Sequence, residues 1–461
     1  MVEHQLRANE RKIIFLASLG GALEFYDFII YVIFAPVISQ IFFPETDKFA
    51  SLMSIYAVFA IGYLIRPIGG IAFSHFGDRY GRKKTFIFSV ILMAVPTVLI
   101  GCLPTYQHIG VWASILLIFM RILQGLSIGG EIPGALTFTC EHVHPRSRGL
   151  ACGVIFCFLN LGIFLGAAIS LILTTQLSNA QLLSFGWRIP FIFGGLLGIF
   201  SFYIRKQLAE SPLFLEFKNK EERSRLPFIE AITLYWRNIL QGVGITCLGS
   251  VVINLIFLYM PTYLSTILNY SKQEATLFNT INLFFYSCLL VFFCWLADRV
   301  GRKLILLVGA VGFICLSYVL YLALSMETTS MLIGALSILA ILSSSIMIYP
   351  SILVELFPTS VRYTGIAIAY NLAFAFFGGL TPLIVTYLIE STKNIYAPSF
   401  YLIFSALICT GAALTIKKLY REELVKNKDI PCHSPKIEDK QPNSPKHGKY
   451  IFHGIYSTIN F

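Results

Sequence analysis

Runs of about twenty or more mostly apolar residues recur twelve times along this chain. They cover about 13–41, 49–73, 85–103, 112–139, 150–173 and 187–208, then 238–263, 276–297, 303–325, 331–357, 363–389 and 397–420. Each is long enough to cross the roughly 30 Å hydrocarbon core of a bilayer as a helix. Continuous apolar runs, rather than period-2 alternation, point to a helical bundle and away from a β-barrel. Apolar residues make up 56% of the 461, charged residues only 13%. A soluble domain carries about 25% charged residues, so a soluble enzyme and a disordered chain are both excluded. Ten Cys, mostly inside apolar runs and without ligand spacing, make neither a disulfide scaffold nor a metal site. The first run is too long and too acidic for a signal peptide, and no small-residue cleavage site follows it. It is expected to be a retained helix.

Lys and Arg in the loops give the expected orientation. Loops after even-numbered spans hold Arg79, Arg82, Lys83 and Lys84; Arg146 and Arg148; Arg299, Arg302 and Lys303; and Arg362. The opposite loops hold only Lys48, Lys272 and Lys393. Both termini should therefore be cytoplasmic in a multi-pass plasma-membrane protein (the inner membrane in a bacterium). Most of the net charge of +11 is this bias, and no soluble basic face for nucleic acid is visible. The expected layout is a cytoplasmic segment 1–12, a six-helix bundle 13–208, a polar cytoplasmic loop 209–237, a second six-helix bundle 238–420, and an unstructured polar tail 421–461. The fold class is thus all-α: twelve transmembrane helices in two pseudo-symmetric bundles.

The pseudo-symmetry rests on two duplicated motifs. Gly77-Asp78-Arg79-Tyr80-Gly81-Arg82-Lys83 follows span 2, and Ala297-Asp298-Arg299-Val300-Gly301-Arg302-Lys303 follows span 8. Glu141, Pro145, Arg148 and Gly149 follow span 4, and Glu355, Pro358, Arg362 and Gly365 follow span 10. Two motifs repeated in order, at matching helix ends, indicate a parallel six-helix repeat of the kind found in secondary transporters. The glycine permits a tight turn and the basic residues anchor at the headgroups. The aspartate can face a helix N-terminus or an arginine across the interface between halves. Asp78, Arg79, Gly81, Arg82, Asp298, Arg299, Gly301, Arg302, Glu141, Arg148, Glu355 and Arg362 are therefore candidates for a conformational latch.

Ionisable groups at membrane depth are expensive and usually functional. Glu24 and Asp27 share a face of helix 1. Arg121 is near the middle of span 4, and Glu131 lies deeper toward its basic end. Arg66 is expected near the end of span 2, positioned to snorkel. The C-terminal half has almost no such groups. Asp27 or Glu24 is expected to carry a coupling proton, with Arg121 tuning it, or else to form a permanent ion pair between helices 1 and 4. Glu131 fits either a proton role or a hydrated helix end. A single central cation favours a zwitterion, such as an amino acid or betaine, or a monocarboxylate; a di- or tricarboxylate wants more than one. Phe25, Tyr26, Tyr31, Tyr259 and Tyr263 are candidates to box a quaternary ammonium, or simply to pack. Gln124, Asn160, Asn254, Asn282, Tyr349 and Asn371 are candidate site liners or interhelical hydrogen-bonding groups. Gly125, Gly129, Gly130 and Gly134 on span 4, with Gly162 and Gly166 on span 5, have small-x-x-x-small spacing for close packing. Prolines 36, 67, 96, 133, 261, 350 and 382 lie in or near the ends of spans and are expected to kink them.

Other signals fail on context. Gly125-Leu126-Ser127-Ile128-Gly129 matches a nucleophile elbow but lies inside a membrane helix. Glu141-His142-Val143-His144 offers too few ligands for a metal. No credible catalytic set is present, so an enzyme is not expected.

At these residues the sequence resembles the major facilitator superfamily over about 13–420. Within it, the sequence is similar to the metabolite:proton symporters, which include proline/betaine, α-ketoglutarate, shikimate and citrate permeases. The matching pieces are Gly21–Phe28 (GALEFYDF), Arg66–Gly70 (RPIGG), Gly77–Lys83, Arg121–Glu131 (RILQGLSIGGE), Gly186–Phe191 (GWRIPF) and Met260–Leu264 (MPTYL). Two family positions differ: Ser74 stands where a glycine is usual, and Cys294 takes the equivalent place in the second repeat. The resemblance implies two bundles rocking about a central site, with solute and protons as partners in the bilayer. It also implies a proton gradient in place of a cofactor, and a monomer. The expected function is proton-coupled import. A di- or tricarboxylate symporter and a non-transporting solute receptor on the same fold are the alternatives.

Overall fold

In a computed structural model, the structure describes residues 8–44, 48–80, 82–206, 227–326, 328–358 and 361–416. Among these residues there are helices and turns and no strands. We number the helices by span. α1 (Ala8–Ile33) bends by 63° at Phe34 into Ala35–Phe42. α2 comprises Lys48–Leu64 and Arg66–Tyr80. α3 is Arg82–Cys102, α4 Val111–His142, α5 Arg148–Gln176 and α6 Arg188–Lys206. α7 (Trp236–Val252) runs on through wide π turns, Ile253–Tyr259 and Tyr263–Ile267. α8 is Lys272–Val300 and α9 Arg302–Leu324. α10 comprises Thr329–Ile346 and Tyr349–Glu355. α11 comprises Arg362–Ala373, a π turn Phe374–Gly378, and Thr381–Thr392; α12 is Ala397–Thr415.

Among the described residues, nine helices are long and apolar enough to cross a membrane, or eleven when two bent pairs are each joined. α3 has a shorter apolar stretch, Ile87–Cys102, and occupies the place of the third predicted span. The predicted central loop also differs from expectation, because Pro227–Leu234 within it is helical. A leading proline, an acidic residue in the first turn and an otherwise apolar sequence favour that turn of helix. The loop's last residues, Trp236 and Arg237, already belong to α7; residues 207–226 and the tail lie outside the described residues.

The repeat is visible in the packing. α1 packs on α5 and α6, α2 on α4, α3 on α4 and α6. Six positions on, α7 packs on α11 and α12, α8 on α10, α9 on α10 and α12. The halves join through α2 against α11 and α5 against α8, which are themselves repeat-related. Five of the seven noted prolines (36, 67, 261, 350 and 382) lie at helix breaks or in the interrupted part of α7, where a missing N–H costs nothing extra. Pro96 and Pro133 lie inside continuous helices.

Small residues set the closest approaches, as their spacing predicted. Gly125 and Gly129 on α4 face the backbone carbonyls of Gly62 and Arg66 on α2, and Gly162 on α5 faces that of Ala22 on α1. A side chain at these points would meet backbone, which cannot swing aside.

Candidate transport site

At the middle of the N-terminal half, α4 places Arg121 with no exposure. Its guanidinium lies 4.3 Å from the Tyr31 ring centre, a cation–π contact that partly replaces lost hydration. Arg121 Nη1 donates to Gln124 Oε1 at 2.8 Å, and Gln124 Nε2 donates to Thr97 Oγ1 at 2.7 Å. The Thr97 hydroxyl donates to Met93 O at 2.9 Å and also lies against the Asp27 carboxyl. Asp27 is 1% exposed, and its Oδ1 has no hydrogen-bond partner. Gly194 on α6 gives it room, since a β-carbon there would strike Oδ1. Two hydrogen bonds thus run from Arg121 through Gln124 to Thr97, whose hydroxyl adjoins Asp27. The direct ion pair considered from sequence is absent between Asp27 and Arg121.

Arg66 departs from expectation. It is 1% exposed, with its guanidinium 3.6 Å from the Tyr63 ring centre and 5.9 Å from that of Phe374 on α11. It also lies close enough to Arg121 for their charges to interact. The expected snorkelling end is wrong because α2 continues to Tyr80, some fourteen residues or roughly 20 Å beyond Arg66 at 1.5 Å per residue. Two arginines thus occupy the centre, and aromatic rings from both halves cover them: Tyr63 stacks on Phe374 at 6.3 Å, and Phe374 on Tyr370 at 4.4 Å. Sequence reasoning missed Tyr63, Thr97, Tyr370 and Phe374. The R-P-I-G-G motif was the available signal for Arg66.

The other candidates scatter. Asn371 donates across the halves to Gly129 O at 2.6 Å, and Tyr363 donates to Gly130 O at 2.9 Å. Asn254 lies in the π turn of α7 and donates to Ser250 O. Asn160 on α5 is adjacent to Tyr286 on α8. Asn282 is buried on α8, and Tyr349 adjoins Tyr370. Tyr26 donates to Pro190 O at 2.9 Å on α6, so its hydroxyl is engaged within the N-terminal half. Tyr259 bonds Thr386 at 2.9 Å, and Tyr263 donates to Ile395 O. Phe25 and Glu131 line a small, mostly apolar cavity between α1, α4 and α5, where Ser89 donates to Glu131 at 2.9 Å. Glu24 has backbone only among the described features; its side chain lies outside them.

At the end bearing the duplicated basic motifs, the halves interlock. Asp298 accepts from the Gly149 and Leu150 amides at 3.1 and 2.9 Å, at the start of α5, where a helix dipole favours an acid. Arg302 bonds Asp298, pairs with Glu355 at 2.6 Å and donates to Pro145 O at 2.7 Å. Arg148 pairs with Glu355 at 3.6 Å, and Arg362 with Glu141 at 3.8 Å. The repeated Glu/Arg motif thus exchanges partners between halves. Gly301 makes the turn with φ of +130°. Arg299 lies over the Trp295 ring at 4.1 Å. Gly81 and the side chains of Asp78, Arg79 and Arg82 lie outside the described residues. At the opposite end the cross-half contact is lighter: Tyr56 bonds Thr262 at 3.3 Å and touches the Tyr259 ring.

The Major Facilitator Superfamily profile matches residues 17–382, with a second match over 243–431. This chain belongs to the major facilitator superfamily. It is 33% identical over 421 residues to a proline/betaine transporter of Escherichia coli K12, covering 88% of this chain and 83% of that one. It is 36% identical over 405 residues to a putative proline/betaine transporter of Staphylococcus haemolyticus, covering 86% of each. In structure it is similar to the proton:xylose symporter XylE, with a TM-score of 0.74 and 18% identity over 90% of this chain and 98% of that one. That likeness is one of fold. The family and its relatives are multi-pass membrane transporters rather than enzymes, in agreement with the sequence motifs.

Proposed function

We propose that this protein is a proton-coupled symporter that imports a small carboxylate-bearing metabolite, with a zwitterion of the proline or betaine type as the leading substrate. The observation that carries this reading is the hydrogen-bonded run Arg121–Gln124–Thr97, which brings a buried cation to the hydroxyl beside the buried Asp27 carboxyl. The substrate carboxylate binds the guanidinium pair, and the aromatic surface of Tyr63, Tyr370 and Phe374 meets its ammonium end. Asp27 carries the proton. The Thr97 hydroxyl has one proton and two acceptors, Met93 O and Asp27. An ionised Asp27 draws that proton toward itself; a protonated Asp27 releases it to Met93. Gln124 passes the difference to Arg121 and so couples substrate binding to protonation.

The relatives named as proline/betaine transporters support the substrate class. The basic end is then cytoplasmic, in the inner membrane of a bacterial host. The carrier works as a monomer with no bound cofactor. Purified protein in liposomes with an imposed pH gradient should accumulate proline or glycine betaine, and Asp27→Asn should abolish accumulation. Undiminished accumulation by that variant would refute the coupling role.

A second reading, di- or tricarboxylate symport, draws on the two central arginines. Arg66, buried beside Arg121, supplies the second cation that a dicarboxylate wants. Gradient-driven uptake of a dicarboxylate, and not of a zwitterion, would select it.

A further inference from the structure

The latch holds a pair of thiols that the transport reading does not use. Cys140, in the last turns of α4, and Cys152, early in α5, have their sulfurs 3.6 Å apart, and both are at most 1% exposed. Arg148 lies between them in sequence; its Nε donates to Cys140 O at 3.1 Å while its Nη1 reaches Glu355. The next residue along α5, Gly153, packs directly on Cys294 of α8. The pair therefore lies beside the seam with the second half, buried in this closed arrangement.

We propose that Cys140 and Cys152 form a redox-sensitive dithiol, oxidised by peroxides to an intramolecular disulfide when the basic end opens. One thiolate attacks the peroxide and breaks its O–O bond, giving a sulfenic acid and water. The second thiol then displaces a second water as the S–S bond forms. The two electrons reduce hydrogen peroxide, and each thiol gives up its proton.

The bond also changes the latch. A disulfide needs sulfurs about 2.0 Å apart, so the pair must close by roughly 1.5 Å. The first turn of α5 lies between the constraints. Its Gly149 and Leu150 amides are held by Asp298, and Pro145 just before it by Arg302, all within 3.1 Å. Whatever part of that roughly 1.5 Å the backbone takes up, rather than rotation of the two side chains, stretches these hydrogen bonds. Oxidation thus disfavours closure and leaves the carrier with its basic end open more often.

The test uses the full chain in lipid nanodiscs, exposed to hydrogen peroxide and then alkylated before and after reduction for peptide mass spectrometry. A Cys140–Cys152 cross-linked peptide is expected. It should form several-fold faster in Asp298→Asn, whose latch is weakened, and should persist in Cys294→Ser. Hydrogen exchange in the peptide holding Gly149 and Leu150 should rise several-fold on oxidation and return with dithiothreitol. Absence of the linked peptide in both wild type and Asp298→Asn overturns the proposal. So does a Cys152–Cys294 link instead, an oxidation rate unaffected by Asp298→Asn, or unchanged exchange after oxidation. Gel filtration of each variant guards against misfolding. None of these readouts depends on the substrate.

Discussion

Thr97 is the residue on which the proposed coupling turns, because it touches both ends of the relay. Replacing it with valine keeps the shape and removes the hydroxyl. Thr97→Val is expected to lower gradient-driven uptake about tenfold, the equivalent of one hydrogen bond at roughly 1.4 kcal/mol, while counterflow exchange at fixed pH changes less. Equal loss in both assays would make Thr97 structural. Arg121→Lys should cost more than its unchanged charge implies, because lysine offers no planar face for Tyr31 and no fixed fork toward Gln124. The expected result is at least a tenfold weaker substrate response in a thermal-shift titration. Asp27 and Arg121 were legible in the sequence, since charge at membrane depth has few innocent explanations; Arg66 was seen but put at the helix end. The wiring of the site was not legible. Thr97 sits in an apolar run and looks like any helix threonine until α3, α4 and α1 are brought together.

At the scale of elements, the contact of α2 with α4 is the most exacting. Gly129 meets the carbonyl of Arg66, and its β-carbon would lie 2.8 Å from the Gly70 nitrogen. Gly129→Ala should therefore force the helices apart at a cost of roughly 1–3 kcal/mol. It should also move Arg66 and the carbonyl that Asn371 uses. Thermal unfolding in detergent should show the loss, whereas Gly334→Ala, inside α10 with nothing within 4 Å, should leave the midpoint unchanged or slightly raised. The spacing of small residues exposed this packing in advance. The length of α2 escaped because polar residues after position 73 read as loop, whereas the helix carries them on to Tyr80. That single misplaced end moved Arg66 from the centre of the molecule to its edge, and changed the substrate argument with it.

Across the whole molecule, the two ends are closed by unlike means: buried ion pairs at the basic end, Tyr56 against Thr262 at the other. At the basic end Glu355 receives both Arg148 and Arg302, whereas Glu141 receives the more distant Arg362 among the described pairs. Removing one partner of a buried ion pair costs about 3–5 kcal/mol. Glu355→Gln is therefore expected to open the basic end more than Glu141→Gln does. Maleimide labelling of Cys294, buried in the closed form, should accelerate in that order; the reverse order would mean that Glu355 does not anchor the interface. The duplicated motifs announced this interlock, since repeated acid and arginine at matching helix ends had to serve a repeated purpose. What they could not announce was the exchange of partners between halves.

That exchange has a consequence for how the protein is made. A ribosome delivers the first half before the second exists, so Arg148 reaches the membrane ahead of Glu355, and Glu141 ahead of Arg362. The early half must wait, with those charges lacking their eventual counterparts, until about two hundred further residues have been inserted. A nascent chain stalled after α6 should therefore be a preferred client for membrane chaperones and quality-control proteases, and should become resistant once α10 and the start of α11 have emerged.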